Sequence, residues 1–278
     1  MTERARAACI IGWPVEHSRS PRIHGYWLEK YGLDGAYRRE SIAPEAFPAF
    51  ISDLATHGYV GANVTMPHKE AALRGSEPDD KATAIGAVNT LWFEGGTLRG
   101  TSTDGDGFVA NLDACVPGWD GALDNAVVLG AGGSARSIVY ALLERPIERI
   151  HVINRTVERA ETFREAFGPR VHAAGWNALP GVLAGAGLLI NTSALGNKGN
   201  PPLDLDLGGV ADDAVVADIN YVPLVTTLLA TAQKRGLRTV DGLGMLLHQA
   251  VPGFARWFGV RPNVTPELRA VIEADLGV

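Results

Sequence analysis

The stretch Asn-Ala-Val-Val-Leu-Gly-Ala-Gly-Gly-Ser-Ala-Arg, Asn125 to Arg136, decides the fold of this chain. Its four apolar residues, 126–129, are typical of a buried strand, and they run directly into the glycine-rich turn 130–133. Beyond the turn, apolar residues recur at helical spacing from Ile138 to Leu143. The stretch therefore predicts a strand, a glycine turn and a helix.

The small residues of this turn fit a dinucleotide site. In such a site the first glycine permits the tight turn, the second lets the backbone approach a pyrophosphate, and a third small residue lets the helix pack on the strand. Gly130, Gly132 and Ala135 occupy these three places. A second apolar run, 149–153, follows at the distance that one crossover helix requires, which favours this interpretation over a plain tight turn.

The residues after the second strand indicate which dinucleotide binds. An NAD site has a carboxylate there for the ribose hydroxyls, whereas this chain has Asn154, Arg155 and Thr156, with Arg159 one helical turn further on. Because a guanidinium suits a phosphate dianion, we predict NADP(H). The predicted cofactor-binding residues of this region are Gly130, Ala131, Gly132, Gly133, Ser134, Ala135, Asn154, Arg155, Thr156 and Arg159.

The bulk properties narrow the class of protein. The 278 residues suffice for two domains of ordinary size, and the net charge of −6 argues against a general nucleic-acid or anionic-membrane partner. Cys9 and Cys115 have no spacing typical of a disulfide framework or a zinc site, so we expect no metal and a reducing cytoplasm. No run reaches about 18 apolar residues, so we expect no membrane span, and the first residues do not resemble a signal peptide.

Alternating strand and helix patterns predict an α/β protein. We expect an N-terminal α/β substrate domain, 1–104, and a doubly wound Rossmann-type NADP-binding domain, 105–243, with C-terminal helices in 244–278 that return to the first domain. The predicted strands are 8–12, 36–42, 59–64, 86–93, 97–101, 126–129, 149–153, one near 171, 188–190, 214–218 and 238–240. The predicted helices include one capped by Ser20, 44–57, 79–85, one after Asp104, 156–167, 223–235, a long one opening at 242, and 266–276.

Polar residues follow two strands of the N-terminal half. Ser18 and Ser20 come after the first strand, while Asn63, Thr65 and Lys69 come at or after the third. The carboxyl ends of strands in α/β sheets are where ligand groups gather, so we expect these side chains to converge. Such a group makes a pocket for a small hydroxylated acid.

Two polar loops fall at strand ends in the C-terminal half. They are 191–193 and 218–221, and both should face the cofactor crevice. Asn191, Thr192 and Ser193 are therefore further predicted cofactor residues.

With these residues assembled, the chain resembles the shikimate dehydrogenase family nearly end to end. The motifs that carry the resemblance stand in the family's order: His-Ser-Arg-Ser-Pro 17–21, Asn-Val-Thr-x-Pro-x-Lys 63–69, Gly-Ala-x-Asn-Thr 86–90, Thr-Asp-Gly 103–105, Gly-Ala-Gly-Gly-x-Ala 130–135, Asn-Arg-Thr 154–156, Asp-x-x-Tyr-x-Pro 218–223 and Gly-x-Gly-Met-Leu-x-x-Gln 242–249.

The resemblance implies an activity and a set of roles. The activity is the reversible NADPH-dependent reduction of 3-dehydroshikimate to shikimate, a step of aromatic amino acid biosynthesis, in a monomer or homodimer. Lys69 and Asp104 would form the catalytic pair, and Ile219 and Gly242 would line the nicotinamide. The residues that would contact the substrate are Ser18, Ser20, Asn63, Thr65, Asn89, Tyr221 and Gln249.

Two residues depart from the family pattern, and two alternatives stay open. Ser102 stands where the family usually has Asn before Thr-Asp, and Gly25 stands where it usually has Asn after Pro-x-x-His. One alternative is a quinate/shikimate dehydrogenase of broader substrate or cofactor range. The other is a catalytically silent NADPH-binding sensor, against which the retention of both Lys69 and Asp104 argues, because a sensor needs neither.

Overall fold

A computed structural model describes residues 6–121 and 123–277. The chain divides into two compact α/β units. The described part of the first is 6–103 together with 249–277, and the second is 104–248.

Strands and helices are numbered here in chain order. The strands are β1 Arg6–Gly12, β2 Gly35–Ser41, β3 Tyr59–Val64, β4 Glu77–Pro78, β5 Thr90–Glu94, β6 Thr97–Thr101, β7 Asn125–Leu129, β8 Arg149–Ile153, β9 Val171–Ala174, β10 Leu188–Asn191, β11 Val215–Asp218 and β12 Arg238–Val240. The helices are α1 Ser20–Lys30, α2 Phe47–Ser52, α3 Lys69–Arg74, α4 Asp80–Ile85, α5 Asp104–Cys115, α6 Gly133–Leu143, α7 Val157–Phe167, α8 Leu179–Leu183, α9 Thr227–Lys234, α10 Gly242–His248, α11 Val251–Phe258 and α12 Pro266–Leu276.

The sheet of the first unit is mixed. Its strand order is β2-β1-β3-β5-β6-β4, with β1 parallel to both of its neighbours and β5 antiparallel to β3 and β6. The turn between β5 and β6 contains Gly95 and Gly96 at φ 58° and 86°. Because only glycine adopts such angles freely, this pair makes the predicted hairpin possible.

The sheet of the second unit is parallel throughout. Its order is β12-β11-β10-β7-β8-β9, and its apolar strand residues alternate between two buried layers, as Val127 and Val128 do on β7. The predicted doubly wound sheet is confirmed. Strand order reverses at β7, which pairs with both β8 and β10, and this reversal creates a ligand crevice at the carboxyl ends of the strands.

Of the C-terminal helices, α11 and α12 belong to the first unit, whereas α10, which was also expected to return there, belongs to the second unit and packs on α5. Helix α11 packs on β1, β3 and β5, and α12 packs on α1. The indole nitrogen of Trp257 donates a hydrogen bond of 2.9 Å to the Leu91 carbonyl. Gly61 admits this ring, because a Cβ there would lie 2.2 Å from the indole nitrogen.

Two predicted helices were too long. The one that opens at 242 is divided into α10 and α11, because Pro252 lies at the start of α11, where its ring is incompatible with an unbroken helix. The one predicted over 223–235 begins only at Thr227, where the Thr226 side chain accepts a hydrogen bond from the Leu229 amide and so caps α9.

Three local predictions in the first unit were also wrong. Ser20 is the first residue of α1 and not its cap, since the N-cap position is Arg19 and has no side-chain capping bond. The predicted helix 44–57 is regular only in α2. The predicted strand 86–93 begins at Thr90, because Gly86 ends α4 in the left-handed conformation and Asn89 turns its side chain into a polar cluster.

Within 6–121 and 123–277, none of the helices is long and apolar enough to cross a membrane. The same residues contain no group of three or more His, Cys, Asp or Glu side chains that could hold a metal ion. Cys9 and Cys115 are both in the thiol form; Cys9 is buried, and Cys115 is exposed and donates to Asn111 Oδ1 at 3.5 Å.

Candidate active site

In the first unit, two serines follow β1, and the second of them is the first residue of α1. The hydroxyl oxygens of Ser18 and Ser20 lie 3.3 Å apart, and the Ser20 amide donates to the Ser18 hydroxyl. The Arg39 guanidinium, from β2, donates to the Ser18 carbonyl at 2.7 Å and so holds this loop against the sheet. The two hydroxyls are thereby fixed side by side.

The end of β3 meets the end of β1. The Thr65 amide donates to the Ile11 carbonyl at 2.9 Å, and the Thr65 methyl packs where a Cβ on Gly12 would lie, only 2.5 Å away. Glycine is therefore required at position 12. Lys69 is the first residue of α3, and its carbonyl accepts from the Val88 amide at 3.0 Å, which ties this helix to the segment before β5.

Asn63 and Asn89 lie in one buried polar cluster. Asn63 Nδ2 donates to the Asn89 carbonyl and to Thr90 Oγ1, both at 3.2 Å. Asn63 Oδ1 accepts from the Tyr37 hydroxyl at 2.6 Å. Both carboxamides, 3% exposed, are thus held at the edge of the sheet.

Thr103 is a residue of this cluster to which the sequence assigned no role, although it stands in the Thr-Asp-Gly motif. Its amide donates to Asn89 Oδ1 at 2.8 Å, and its hydroxyl donates to the Gln249 carbonyl at 2.9 Å. The available signal was the motif itself, in which Thr103 directly precedes the proposed catalytic residue Asp104. Thr103 thus joins Asn89 to Gln249, which lies 146 residues after Thr103 in the sequence.

Tyr37, which donates to Asn63, belongs to an aromatic cluster that the sequence did not reveal. The His24 ring stacks on the Tyr37 ring, with Trp27 and Phe254 around it. His24 is fully buried, and neither ring nitrogen has a hydrogen-bond partner among the described residues. Burial lowers the pKa of His24 to about 3, against an opposing contribution from the nearby Asn63 side chain. Its imidazole is therefore neutral.

In the second unit the glycine turn links β7 to α6. Gly130 has φ 109°, and a Cβ there would lie 2.8 Å from Thr192 Oγ1, so position 130 requires glycine. By contrast, a Cβ on Gly132 or Gly133 would meet no protein atom within 4 Å. These two glycines leave open space at the N-terminus of α6, whose N-cap makes no side-chain bond. Ala131 and Ser134 flank them, and Ala135 is fully buried.

The residues at the end of β8 present positive charge. Arg155, Thr156 and Arg159 are exposed, while the Asn154 side chain donates to the Thr156 carbonyl at 2.8 Å and shapes the turn into α7. The turn itself, 154–156, contains no carboxylate.

The loops after β10 and β11 are tied together by one buried carboxylate. Asp218, 1% exposed, accepts from the Asn191 carboxamide at 3.1 Å and from Thr226 Oγ1 at 2.8 Å. Burial raises the pKa of Asp218, and these hydrogen bonds oppose the rise. Since Asn191 Oδ1 also accepts from the Ser193 amide at 3.0 Å, Asn191 shapes the loop that carries Thr192 and Ser193.

Ile219 and Gly242 lie in contact. A Cβ on Gly242 would fall 2.1 Å from the Ile219 carbonyl oxygen, so the start of α10 approaches the end of β11 as only glycine allows. Tyr221 follows on the same loop and is half-buried. Asp104, 8% exposed, is the first residue of α5 in this second unit, whereas Lys69 belongs to the first.

Comparisons with known proteins agree along the whole chain. Residues 10–91 match a family model described as the shikimate dehydrogenase substrate binding domain. Residues 120–197 match one described as shikimate / quinate 5-dehydrogenase, and 242–272 match the shikimate 5'-dehydrogenase C-terminal domain.

Individual relatives give the same result. The shikimate dehydrogenase (NADP(+)) of Rhodopseudomonas palustris strain TIE-1 is 59% identical over 276 residues, 99% of each chain. The structure of shikimate 5-dehydrogenase from Thermus thermophilus, in complex with NADP(H) and shikimate, has a TM-score of 0.81 and 33% identity over 98% of each chain. That of quinate dehydrogenase from Corynebacterium glutamicum, in complex with NAD, has a TM-score of 0.88 and 28% identity, covering 97% of this chain and 99% of the other.

Proposed function

The chain belongs to the shikimate dehydrogenase family, and we propose from this premise that it catalyses the reversible, NADP-dependent oxidation of shikimate to 3-dehydroshikimate in aromatic amino acid biosynthesis. The observation that carries the proposal is the full-length identity of 59% to a relative named as an NADP-dependent shikimate dehydrogenase. The polar cluster of the first unit supports it, since a polyhydroxylated acid needs fixed hydroxyls and carboxamides to bind.

The second unit fits the cofactor. The open space at Gly132 and Gly133 leaves room for a pyrophosphate at the α6 N-terminus, where backbone amides and the helix dipole favour an anion. Arg155 and Arg159 would hold the 2′-phosphate, with Asn154 and Thr156 shaping the turn. Thr192, Ser193, Ile219 and Gly242 would lie along the rest of the cofactor, and Asn191 would position their loop.

The first unit would bind most of the substrate. We assign the carboxylate and hydroxyls of shikimate to Ser18, Ser20, Asn63, Thr65, Asn89, Tyr221 and Gln249. Asn63 and Asn89 are already oriented by protein hydrogen bonds, so little side-chain freedom is lost when the substrate binds.

In the oxidation, the carbinol carbon loses a hydride and its hydroxyl loses a proton, which leaves a ketone. Bound NADP+ would supply the hydride acceptor for this step. We propose that Lys69 and Asp104 handle the proton: one accepts it from the hydroxyl, and the Lys69 ammonium stabilises the negative charge that develops on the oxygen. In the reverse direction the same pair returns the proton to the alkoxide.

The test is the absorbance of reduced nicotinamide, measured with purified protein offered shikimate or quinate, each with NADP+ or NAD+. Rapid reduction of NADP+ with shikimate supports the proposal. Comparable turnover of quinate, or of NAD+, would replace it with the broader-specificity enzyme. Tight NADPH binding without turnover of either acid would leave a non-catalytic sensor.

Two finer proposals concern the setting of the enzyme. We propose a cytoplasmic location, supported by the fact that Cys9 and the exposed Cys115 are both in the thiol form. We also propose a monomer or a homodimer that acts on a small molecule. Light scattering after size exclusion decides between them, because the monomer has a mass of 29.5 kDa.

A further inference from the structure

Polar groups at the sheet edge of the first unit form a hydrogen-bond chain with one direction. It begins at the Tyr37 hydroxyl, which donates to Asn63 Oδ1 at 2.6 Å. Asn63 Nδ2 donates in turn to Thr90 Oγ1 at 3.2 Å. The Thr90 hydroxyl then donates to Asn89 Oδ1, also at 3.2 Å.

This series of hydrogen bonds continues, with the same donor-to-acceptor direction, to a backbone carbonyl. Asn89 Nδ2 donates to Thr103 Oγ1 at 3.0 Å. The single hydroxyl proton of Thr103 is donated to the Gln249 carbonyl, its nearest acceptor at 2.9 Å. Two backbone groups set the direction at this end: the Gln249 carbonyl can only accept from the Thr103 hydroxyl, and the Thr103 amide can only donate to Asn89 Oδ1.

The same series of hydrogen bonds fixes the orientation of the Asn63 and Asn89 carboxamides. If the Asn63 carboxamide were reversed, its oxygen would lie against the Asn89 carbonyl, which now accepts from Nδ2 at 3.2 Å. Both Nδ2 protons of Asn63 are committed to protein acceptors. The oxygen is therefore the atom through which Asn63 meets a substrate hydroxyl, and Tyr37 is the group that fixes this oxygen.

Tyr37 is itself held and kept protonated. Its ring lies 4.0 Å from that of His24 at an interplanar angle of 7°, and 5.9 Å from that of Trp257. Burial raises the pKa of the phenol well above its usual range, with a further contribution from the nearby Cys9 thiol and an opposing one from Ser20. The phenol is therefore protonated at neutral pH and acts as a proton donor.

We propose that Tyr37 is a positioning residue for substrate recognition, whose hydroxyl orients the Asn63 carboxamide toward the hydroxyls of the substrate. It acts through Asn63 and not by touching the substrate. The proposal rests on the proposed function, in which Asn63 is a substrate contact. Hydrogen bonds in such a chain strengthen one another, so the loss of its first donor weakens the members that follow.

The first experiment compares Tyr37→Phe with Tyr59→Phe as a matched control. Tyr59 is another tyrosine of this sheet; it is buried, and its hydroxyl donates to Glu40. We expect Tyr37→Phe to raise the KM for shikimate about fivefold to tenfold, the usual worth of one hydrogen bond, while kcat stays within about threefold. The KM for NADP+ should not change. An unchanged KM for shikimate, or a fall in kcat alone, would overturn the proposal.

A double-mutant cycle then tests whether the effect passes through Asn63. In an Asn63→Ala background, Tyr37→Phe should add less than about twofold to the KM for shikimate, because the carboxamide that it positions is gone. Full additivity of the two substitutions would contradict the proposal, since it would mean that Tyr37 acts by another route.

A second variant, which removes another hydrogen bond of this series, tests the proposal if Tyr37→Phe does not fold. Thr90→Val removes the hydroxyl that joins Asn63 to Asn89 and keeps the shape of the side chain. It should also raise the KM for shikimate with kcat largely kept, and an unchanged KM here would count equally against the proposal. Wild-type protein without shikimate turnover would instead refute the proposed function, so the two failures are distinct.

Discussion

The imidazole of His24 lies flat on the phenol ring of Tyr37, with 4.0 Å between the ring centroids and 7° between the planes. This stack joins a neutral, fully buried histidine to the tyrosine that holds Asn63. Two side chains in contact therefore affect different properties: His24 affects stability against acid, and Tyr37 affects the geometry of the proposed substrate site.

The first prediction concerns acid stability. In the folded protein the pKa of His24 is about 3, against an ordinary value of 6.5 in the unfolded chain. Between these values the unfolded state binds one more proton, so the free energy of unfolding falls as the pH falls from 6.5 toward 3. At pH 5 the loss due to His24 is about 2 kcal/mol.

His24→Phe keeps an aromatic ring against Tyr37 and removes the proton. Urea denaturation of this variant should lose less stability between pH 7.5 and pH 5 than the wild type does, by about that amount. His57→Phe is the control, because His57 is exposed and also stacks on a ring, that of Phe50. Equal acid slopes in wild type and His24→Phe would show that His24 takes up a proton in the native state.

The second prediction concerns the proposed proton transfer. Lys69→Ala should lower kcat by about 10² to 10⁴, the usual contribution of a positioned acid or base, with a much smaller change in the KM for shikimate. Lys30→Ala, at the end of α1, is the control and should keep both constants. A large rise in KM with unchanged kcat would make Lys69 a binding residue only.

The third prediction concerns cofactor choice. Arg155→Asp would remove the proposed charge-assisted hydrogen bond to the 2′-phosphate and would supply a carboxylate for the ribose hydroxyls. The preference for NADP+ over NAD+, measured as the ratio of kcat/KM values, should fall on the order of tenfold to a hundredfold. Arg164→Asp, later on α7, is the matched control. An unaltered ratio in Arg155→Asp would mean that residues other than Arg155 bind the 2′-phosphate.

The fourth prediction contrasts two helical glycines. A Cβ on Gly105 would lie 2.2 Å from the Ser137 carbonyl oxygen, so α5 and α6 would have to move apart. Gly105→Ala should therefore destabilise the protein by about 3 kcal/mol. A Cβ on Gly25 would meet nothing within 4 Å, and Gly25→Ala should stabilise α1 by about 0.5–1 kcal/mol. Denaturant midpoints measure both changes, and effects of the same sign would contradict the contact argument.

Gly25 also bears on the departures from the family pattern. Packing does not require glycine there, and nothing in the structure explains why asparagine is absent. Ser102, the other departure, is buried, at 2% exposed.

The second unit could be predicted closely from the sequence, because its buried parallel strands are short apolar runs. The run 149–153 coincides with β8, and 126–129 differs from β7 only by Asn125. Helix ends were harder to predict wherever tertiary contacts set them. Thr226 caps α9 while its hydroxyl donates to Asp218, a partner eight residues away that helical periodicity cannot indicate.

The sequence predicts candidate site residues one by one, but it does not predict the hydrogen-bond network that joins them in the structure. The motifs identified Asn63 and Asn89 as polar groups at strand ends, yet nothing in their spacing indicated that Tyr37 donates to one of them. Thr103 meets Gln249 across 146 residues, and such a contact depends on how the chain returns rather than on any local pattern. The aromatic cluster at His24 was missed for the same reason, since Phe254 reaches it from α11.

The return of α11 to the first unit has a consequence for synthesis on the ribosome. When residue 103 leaves the exit tunnel, the first unit still lacks Phe254 and Trp257, which complete its core and cap the Leu91 carbonyl. The second unit has its full sequence once residue 248 has emerged. The first unit is therefore begun first but completed last, because it needs residues that are translated after the second unit. A nascent chain stalled before residue 249 would expose to chaperones the apolar sheet face that α11 covers.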